Sequence, residues 1–117
     1  MGSPMAKQNT GAGCLPGDVL QRIAECISSS VPTEEIYLFG SQARNEANAE
    51  SDIDLYVITS DDALSRSEYA VKAYLSIPWL PMPKDILTSP RARFDRILKE
   101  HGSIERTVLS EGVKIYG

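Results

Sequence analysis

Apolar and polar positions alternate along the chain in blocks that change period several times. Val19, Leu20, Ile23, Ala24 and Ile27 recur at helical spacing. They predict a helix that opens near Pro16, a residue suited to a first helical turn, and stops at Ser28-Ser29-Ser30 before Pro32. Ile36-Tyr37-Leu38-Phe39 is an unbroken apolar run. It predicts a strand over 35–39 that is buried on both faces, as a central strand is. Gly40-Ser41 then permits a tight turn, and Ser41 can cap a short helix through Gln42-Ala43-Arg44-Asn45-Glu46. A second strand is expected over 52–59. Asp61-Asp62 is expected to cap a helix carrying Leu64, Val71, Tyr74 and Leu75 on one side.

Ile77 to Pro83 holds three prolines in six positions, which excludes a regular helix or a central strand and predicts a stiff apolar linker. Lys84 to Thr88 reads as a third strand. Ser89-Pro90 starts a helix with Phe94, Ile97 and Leu98 inward, and Ser103 starts a last short one with Ile104, Val108 and Leu109. Glu111-Gly112 ends it, and Val113 to Tyr116 can add a terminal strand. Helices and strands in this order imply an α/β (α+β-like) fold, a small mixed sheet of three to four strands with helices packed on it.

Length and composition keep this within one domain. The chain has 117 residues, 42% hydrophobic and 24% charged, as ordinary globular proteins do. No apolar run approaches the roughly 18 residues of a membrane helix, so no membrane partner is expected. Met1-Gly2-Ser3-Pro4-Met5 lacks an apolar signal core and reads as a cloning scar. Residues 1–14 are therefore taken as scar and flexible N-terminus, and 15–117 as the domain. Cys14 and Cys26 are too few for a disulfide framework or a zinc site; two reduced cysteines in a cytoplasmic protein are the plain reading. A net charge of -4 argues against a broad basic face that grips nucleic acid, but not against a nucleotide handled through metal ions.

Chemistry concentrates between the first two strands. Glycine followed by a helix N-terminus offers free N–H groups and a positive dipole end, a seat for phosphate. Asp52 and Asp54, two apart on a strand, point the same way while Ile53 and Leu55 point into the core. Two such carboxylates repel unless something positive sits between them, and a divalent cation with oxygen ligands is the usual reason to build the pair.

The segment Phe39-Gly40-Ser41-Gln42-Ala43-Arg44, followed by Ser51-Asp52-Ile53-Asp54-Leu55, resembles the signature of the minimal nucleotidyltransferases of the DNA polymerase β superfamily. Gly-Ser, ten residues, then Asp-x-Asp on a strand–helix–strand background is a specific pattern. Motif support runs from about Val31 to Leu87. The resemblance implies the nucleotidyltransferase fold and a site for two Mg²⁺ ions. Asp52 and Asp54 would ligate them, with a third carboxylate from a later strand, to which Asp85 corresponds. It also implies that Gly40, Ser41, Arg44 and Ser51 lie on the nucleotide side, with ATP as donor. Asn45 stands where the family often has glycine, a departure in the phosphate loop.

Larger relatives carry a second, helical domain that binds the acceptor, and 117 residues leave no room for one. The resemblance therefore implies an acceptor supplied in trans. It further implies that the acceptor is a helical toxin of the HEPN type, for which such domains serve as antitoxin, some of them by transferring AMP from ATP to a tyrosine. Two alternatives stay open. One is a catalytically silent antitoxin acting by contact; the other is a small-molecule, antibiotic-type adenylyltransferase whose acceptor pocket forms across a homodimer.

Several residues have plainer readings. Arg44 can pair with Glu46 or Glu50 on the surface. Arg96 to His101 fits the Arg-x4-His spacing of HEPN ribonucleases, but that fold is all-helical and this segment follows three strands, so the match is a coincidence. Trp79, Leu80 and Met82 read either as core cover or, with a slight preference, as a partner or dimer surface.

Overall fold

The computed structural model describes residues 15–40 and 52–117. These form helix α1 (Gly17–Ser30), strands β1 (Thr33–Phe39) and β2 (Ile53–Thr59), helix α2 (Arg66–Leu75), strand β3 (Lys84–Pro90), helices α3 (Arg91–Ile97) and α4 (Ile104–Glu111), and strand β4 (Val113–Tyr116). The four strands make one mixed sheet in the order β3-β2-β1-β4. β1 runs antiparallel to β2 and to β4, while β2 and β3 are parallel.

Both central strands are buried on both faces, because each face carries its own core. Ile36 and Leu38 of β1 and Ile53, Leu55 and Val57 of β2 face one way, onto Ile23 and Ile27 of α1 and Tyr69 and Ala73 of α2. The alternate positions, Tyr37, Phe39, Tyr56 and Ile58, face the other way, onto Phe94 of α3 and Val108 of α4. Tyr56 and Phe94 meet edge-on, ring centroids 5.3 Å apart. The period-2 pattern of the strands thus becomes two apolar layers with helices over each.

Two expectations need correction. Asp61-Asp62 does not cap α2; Ser65 does. Its hydroxyl accepts from the Glu68 amide at 3.1 Å, and the Glu68 carboxylate accepts from the Ser65 amide at 3.0 Å, a reciprocal capping box. Asp61 instead accepts from the Ala63 amide and the Tyr69 hydroxyl. Tyr69 and Ala73 are the buried positions of α2. The side expected to carry Leu64, Val71, Tyr74 and Leu75 faces outward, with Val71 at 56% and Leu75 at 66% exposed.

The proline-rich linker is irregular, as expected, but it is core cover rather than interface. Leu80 is buried, and Trp79 and Met82 pack half-buried on the α1–α2 core. The Arg22 guanidinium lies 4.2 Å over the Trp79 ring. Prolines hold the linker against the helices because an extended, stiff segment can cover the end of a core without a ladder of its own. Cys26 is a free thiol packed on the same core; Cys14 lies outside the described residues.

Candidate active site

Pairing of the strands decides which side chains gather at one end of the sheet. β1 ends at Phe39, whose partner across the antiparallel ladder is Asp54. The partner of Asp54 on its other side, across the parallel ladder, is Asp85. Asp54 and Asp85 therefore lie side by side on the same face, that of Tyr56 and Ile58. Ile53 and Leu55, the neighbours of Asp54, are fully buried on the opposite face. Asp52 stands one pleat ahead of Asp54, just before β2, and is exposed, as is Asp85; Asp54 is half-buried.

Gly40 closes this end. Its φ of 77° lies in the left-handed region, which favours glycine. A Cβ placed there would sit 3.2 Å from the Asp54 Cγ and closer still to its Oδ2. The absent side chain is what lets the backbone after β1 come up against the Asp54 carboxylate. Ser41, Arg44 and Ser51, the other residues assigned to the nucleotide side, lie outside the described residues, as does the short helix expected after Ser41.

Three carboxylates at one sheet end are hard oxygen donors, a set that suits Mg²⁺. Together with the cradle at Gly40, this chemistry fits the implied metal. Among the described residues, no three His, Cys, Asp or Glu side chains converge closely enough to form a ready-made ligand cage. The strand register brings Asp54 and Asp85 to adjacent positions and leaves Asp52 on the lip.

One group behind this end escaped the sequence reading. Tyr56, one pleat inward from Asp54, donates its hydroxyl to the Glu105 Oε2 of α4 at 2.7 Å. Glu105 is only 4% exposed. Its charge faces Arg93 of α3, 3.5 Å away, and Arg93 also donates to the Ser89 hydroxyl at 3.3 Å. Burial, and then the hydrogen bond to Glu105, push the Tyr56 phenol up to about 12, so it stays a neutral donor. Nothing local in the sequence pairs Tyr56 with a residue 49 positions later. The local signal is a polar ring within the apolar run Leu55–Ile58.

Residues 20–115 match the family described as nucleotidyltransferase domain. The chain belongs to that family, within the DNA polymerase β superfamily. Two solved structures share the fold of this nucleotidyltransferase domain. One is a toxin–antitoxin crystal structure with AMP-PNP, 24% identical, with a TM-score of 0.58 over 84% of this chain and 73% of that one. The other is a Sulfolobus solfataricus protein assigned as a nucleotidyltransferase, 21% identical, with a TM-score of 0.56 over 97% of this chain and 89% of that one. No curated protein matches the chain. The four-stranded mixed sheet and its helices are the nucleotidyltransferase fold. No helix among the described residues is long and apolar enough to cross a membrane.

Proposed function

We propose that this nucleotidyltransferase domain transfers AMP from ATP to a tyrosine hydroxyl of a helical, HEPN-type partner protein, and so acts as its antitoxin. The observation that carries this is the register Phe39–Asp54–Asp85 beside Gly40. It sets a carboxylate pair against the Gly40 backbone at one end of the sheet, the place at which a triphosphate would bind. The similar solved toxin–antitoxin structure with AMP-PNP supports an adenine nucleotide as donor and a toxin as partner.

Asp52, Asp54 and Asp85 would hold Mg²⁺, which when bound neutralises triphosphate charge and acidifies a nearby hydroxyl. Gly40 lets the backbone of the turn lie against the Asp54 carboxylate, so that phosphates held by the turn would sit beside the metal ligands. Ser41, Arg44 and Ser51, on the motif's nucleotide side, add hydroxyl and guanidinium donors to the phosphates. Asp85, the most exposed end of the pair, accepts the proton of the attacking hydroxyl. The phenolic oxygen forms a bond to the α-phosphorus as the bond to pyrophosphate breaks. Products are the AMP ester of the tyrosine and pyrophosphate, with the proton passed to solvent.

Incubation of the protein with labelled ATP, Mg²⁺ and the product of the adjacent reading frame should label that product. Asp54→Asn or Asp85→Asn should lower the rate by roughly 100-fold or more, and chelation of the metal should abolish it. Labelling that is absent in the wild type, or equal in the variants, would rule the reading out.

A second reading has its own observation. The exposed apolar residues Val71 and Leu75 on α2, with Leu64 just before it, suit an antitoxin that neutralises by contact alone. In that case an Asp52→Ala/Asp54→Ala variant still protects cells from the toxin.

A further inference from the structure

Among the described residues β3 is an edge strand, and its ladder defines which of its backbone groups face away from the sheet. The Ile53 amide donates to the Pro83 carbonyl at 2.9 Å, and Ile53, Asp54 and Leu55 lie level with Lys84, Asp85 and Ile86. In a parallel ladder that phase turns the amides and carbonyls of Asp85, Leu87 and Ser89 toward β2. Those of Lys84, Ile86 and Thr88 point outward. The Arg66 Nε confirms the direction by donating to the Thr88 carbonyl at 3.0 Å from the open side. The Thr88 hydroxyl returns a bond to the Arg66 carbonyl at 2.6 Å. Cover ends there: the outward groups of Lys84 and Ile86 have no hydrogen-bond partner among the described residues.

Proteins usually blunt such an edge. The other edge of this sheet is blunted, since β4 has four residues and its register with β1 breaks between Ile36 and Tyr37. β3 runs seven residues in unbroken register. Beside it lies a cleft of about 290 Å³, floored by Ile86 and walled by the small side chains of Ser67 and Ala70 on α2. Two cations flank the open stretch on this side, Arg66 at one end and Lys84, with its ammonium 5.0 Å over the Tyr74 ring, at the other. Neither has a carboxylate partner among the described residues.

We propose that the free edge of β3 docks the acceptor: an extended, acidic segment of the partner protein adds as a fifth strand, its hydroxyl-bearing residue level with Asp85. This rests on the reading of the site as an AMP transferase. Only an extended backbone satisfies alternate outward amides and carbonyls, and side chains of an added strand alternate between faces. Those on the α2 side enter the cleft between Arg66 and Lys84, where carboxylates complement the two cations. Those on the other side fall on the face of Asp54 and Asp85. There a cross-strand neighbour of Asp85 starts about 5 Å away, within reach of its carboxylate. Strand addition thus supplies both affinity for the acceptor and its aim at Asp85.

The test uses the full chain with the product of the adjacent reading frame, labelled ATP and Mg²⁺. Lys84→Pro removes an outward N–H and places a ring on the edge without breaking the ladder to β2, and Ala70→Arg fills the cleft. Each should raise the acceptor KM on the order of tenfold or more while leaving ATP affinity at the wild-type value. Complex formation should slow hydrogen exchange of the Ile86 amide by a comparable factor, on the order of tenfold.

Wild-type acceptor KM in both variants, or unchanged Ile86 exchange in the complex, overturns the docking site and leaves the transferase reading standing. Ile86 protection without any AMP transfer does the reverse. Absence of both complex and transfer overturns both.

Discussion

At Gly40 a methyl group would meet the Asp54 carboxylate, and the φ of 77° would strain any L side chain. Gly40→Ala is therefore expected to cost about 1–3 kcal/mol of stability and to displace the Asp54 carboxylate as well. Urea unfolding and the transfer assay should both register the change, and a variant that keeps full activity would show that Asp54 tolerates displacement. Tyr56 makes a different kind of commitment. Its neutral hydroxyl is the close donor to a buried carboxylate, and Tyr56→Phe leaves Glu105 with Arg93 at 3.5 Å. The loss should be about 1.5–3 kcal/mol near neutral pH. The sign of its pH dependence follows from a phenol raised from 10.0 to about 12 on folding. Its contribution is complete below pH 10 and is lost as pH rises through about 12, so wild type and Tyr56→Phe should converge across that interval.

Among the elements, α3 is tied to the far end of β1 by one side chain. Arg91 at its first position reaches Glu34 at 2.9 Å, Glu35 at 2.9 Å and Asp95 at 3.2 Å. Burial acts to raise the Glu35 carboxyl, but hydrogen bonds from Arg91 and Tyr37 and the charges of Arg91 and Lys114 outweigh it and hold it below 4.5. A depressed carboxylate contributes stability above its unfolded value of 4.5 and loses it as pH falls through the folded value. Glu35→Gln should flatten the acid limb of the stability curve, seen as a smaller drop in urea midpoint below pH 4.5 than in wild type. α2 carries two apolar pairs at i, i+4 spacing on different faces, and packing buries Tyr69 and Ala73 while Val71 and Leu75 stay exposed.

For the molecule as a whole, the sheet separates support from chemistry. α3 and α4 cover the Tyr37–Ile58 face, and Asp52, Asp54 and Asp85 stand at one end of that face, beyond the apolar cluster. The outward stripe on α2 is peripheral to folding, so Val71→Glu or Leu75→Glu should change stability by no more than about 0.5 kcal/mol. Calorimetry of either variant checks this, and a large loss would mean that the stripe is packed. The same variants bear on the contact reading, since an antitoxin that works through this stripe alone would lose its protection of cells.

Much of this was legible before any coordinates. Runs such as Ile36–Phe39 and the alternation Asp52-Ile53-Asp54-Leu55 reveal strands because burial imposes period and run length directly on the residues. Gly-Ser and Asp-x-Asp at their spacing point to the family, since the tight turn and the paired carboxylates are local devices. What the sequence could not carry was anything that depends on pairing over distance. Ladder register, not spacing, seats Asp85 beside Asp54 and buries Tyr56 against Glu105. Packing selects Tyr69 and Ala73 over Val71 and Leu75 as the buried side of α2, and strand order among the described residues leaves β3 at the edge of the sheet, next to a carboxylate. Local chemistry is written along the chain. Adjacency between strands comes from packing both faces of one sheet at once, and only the folded chain decides it.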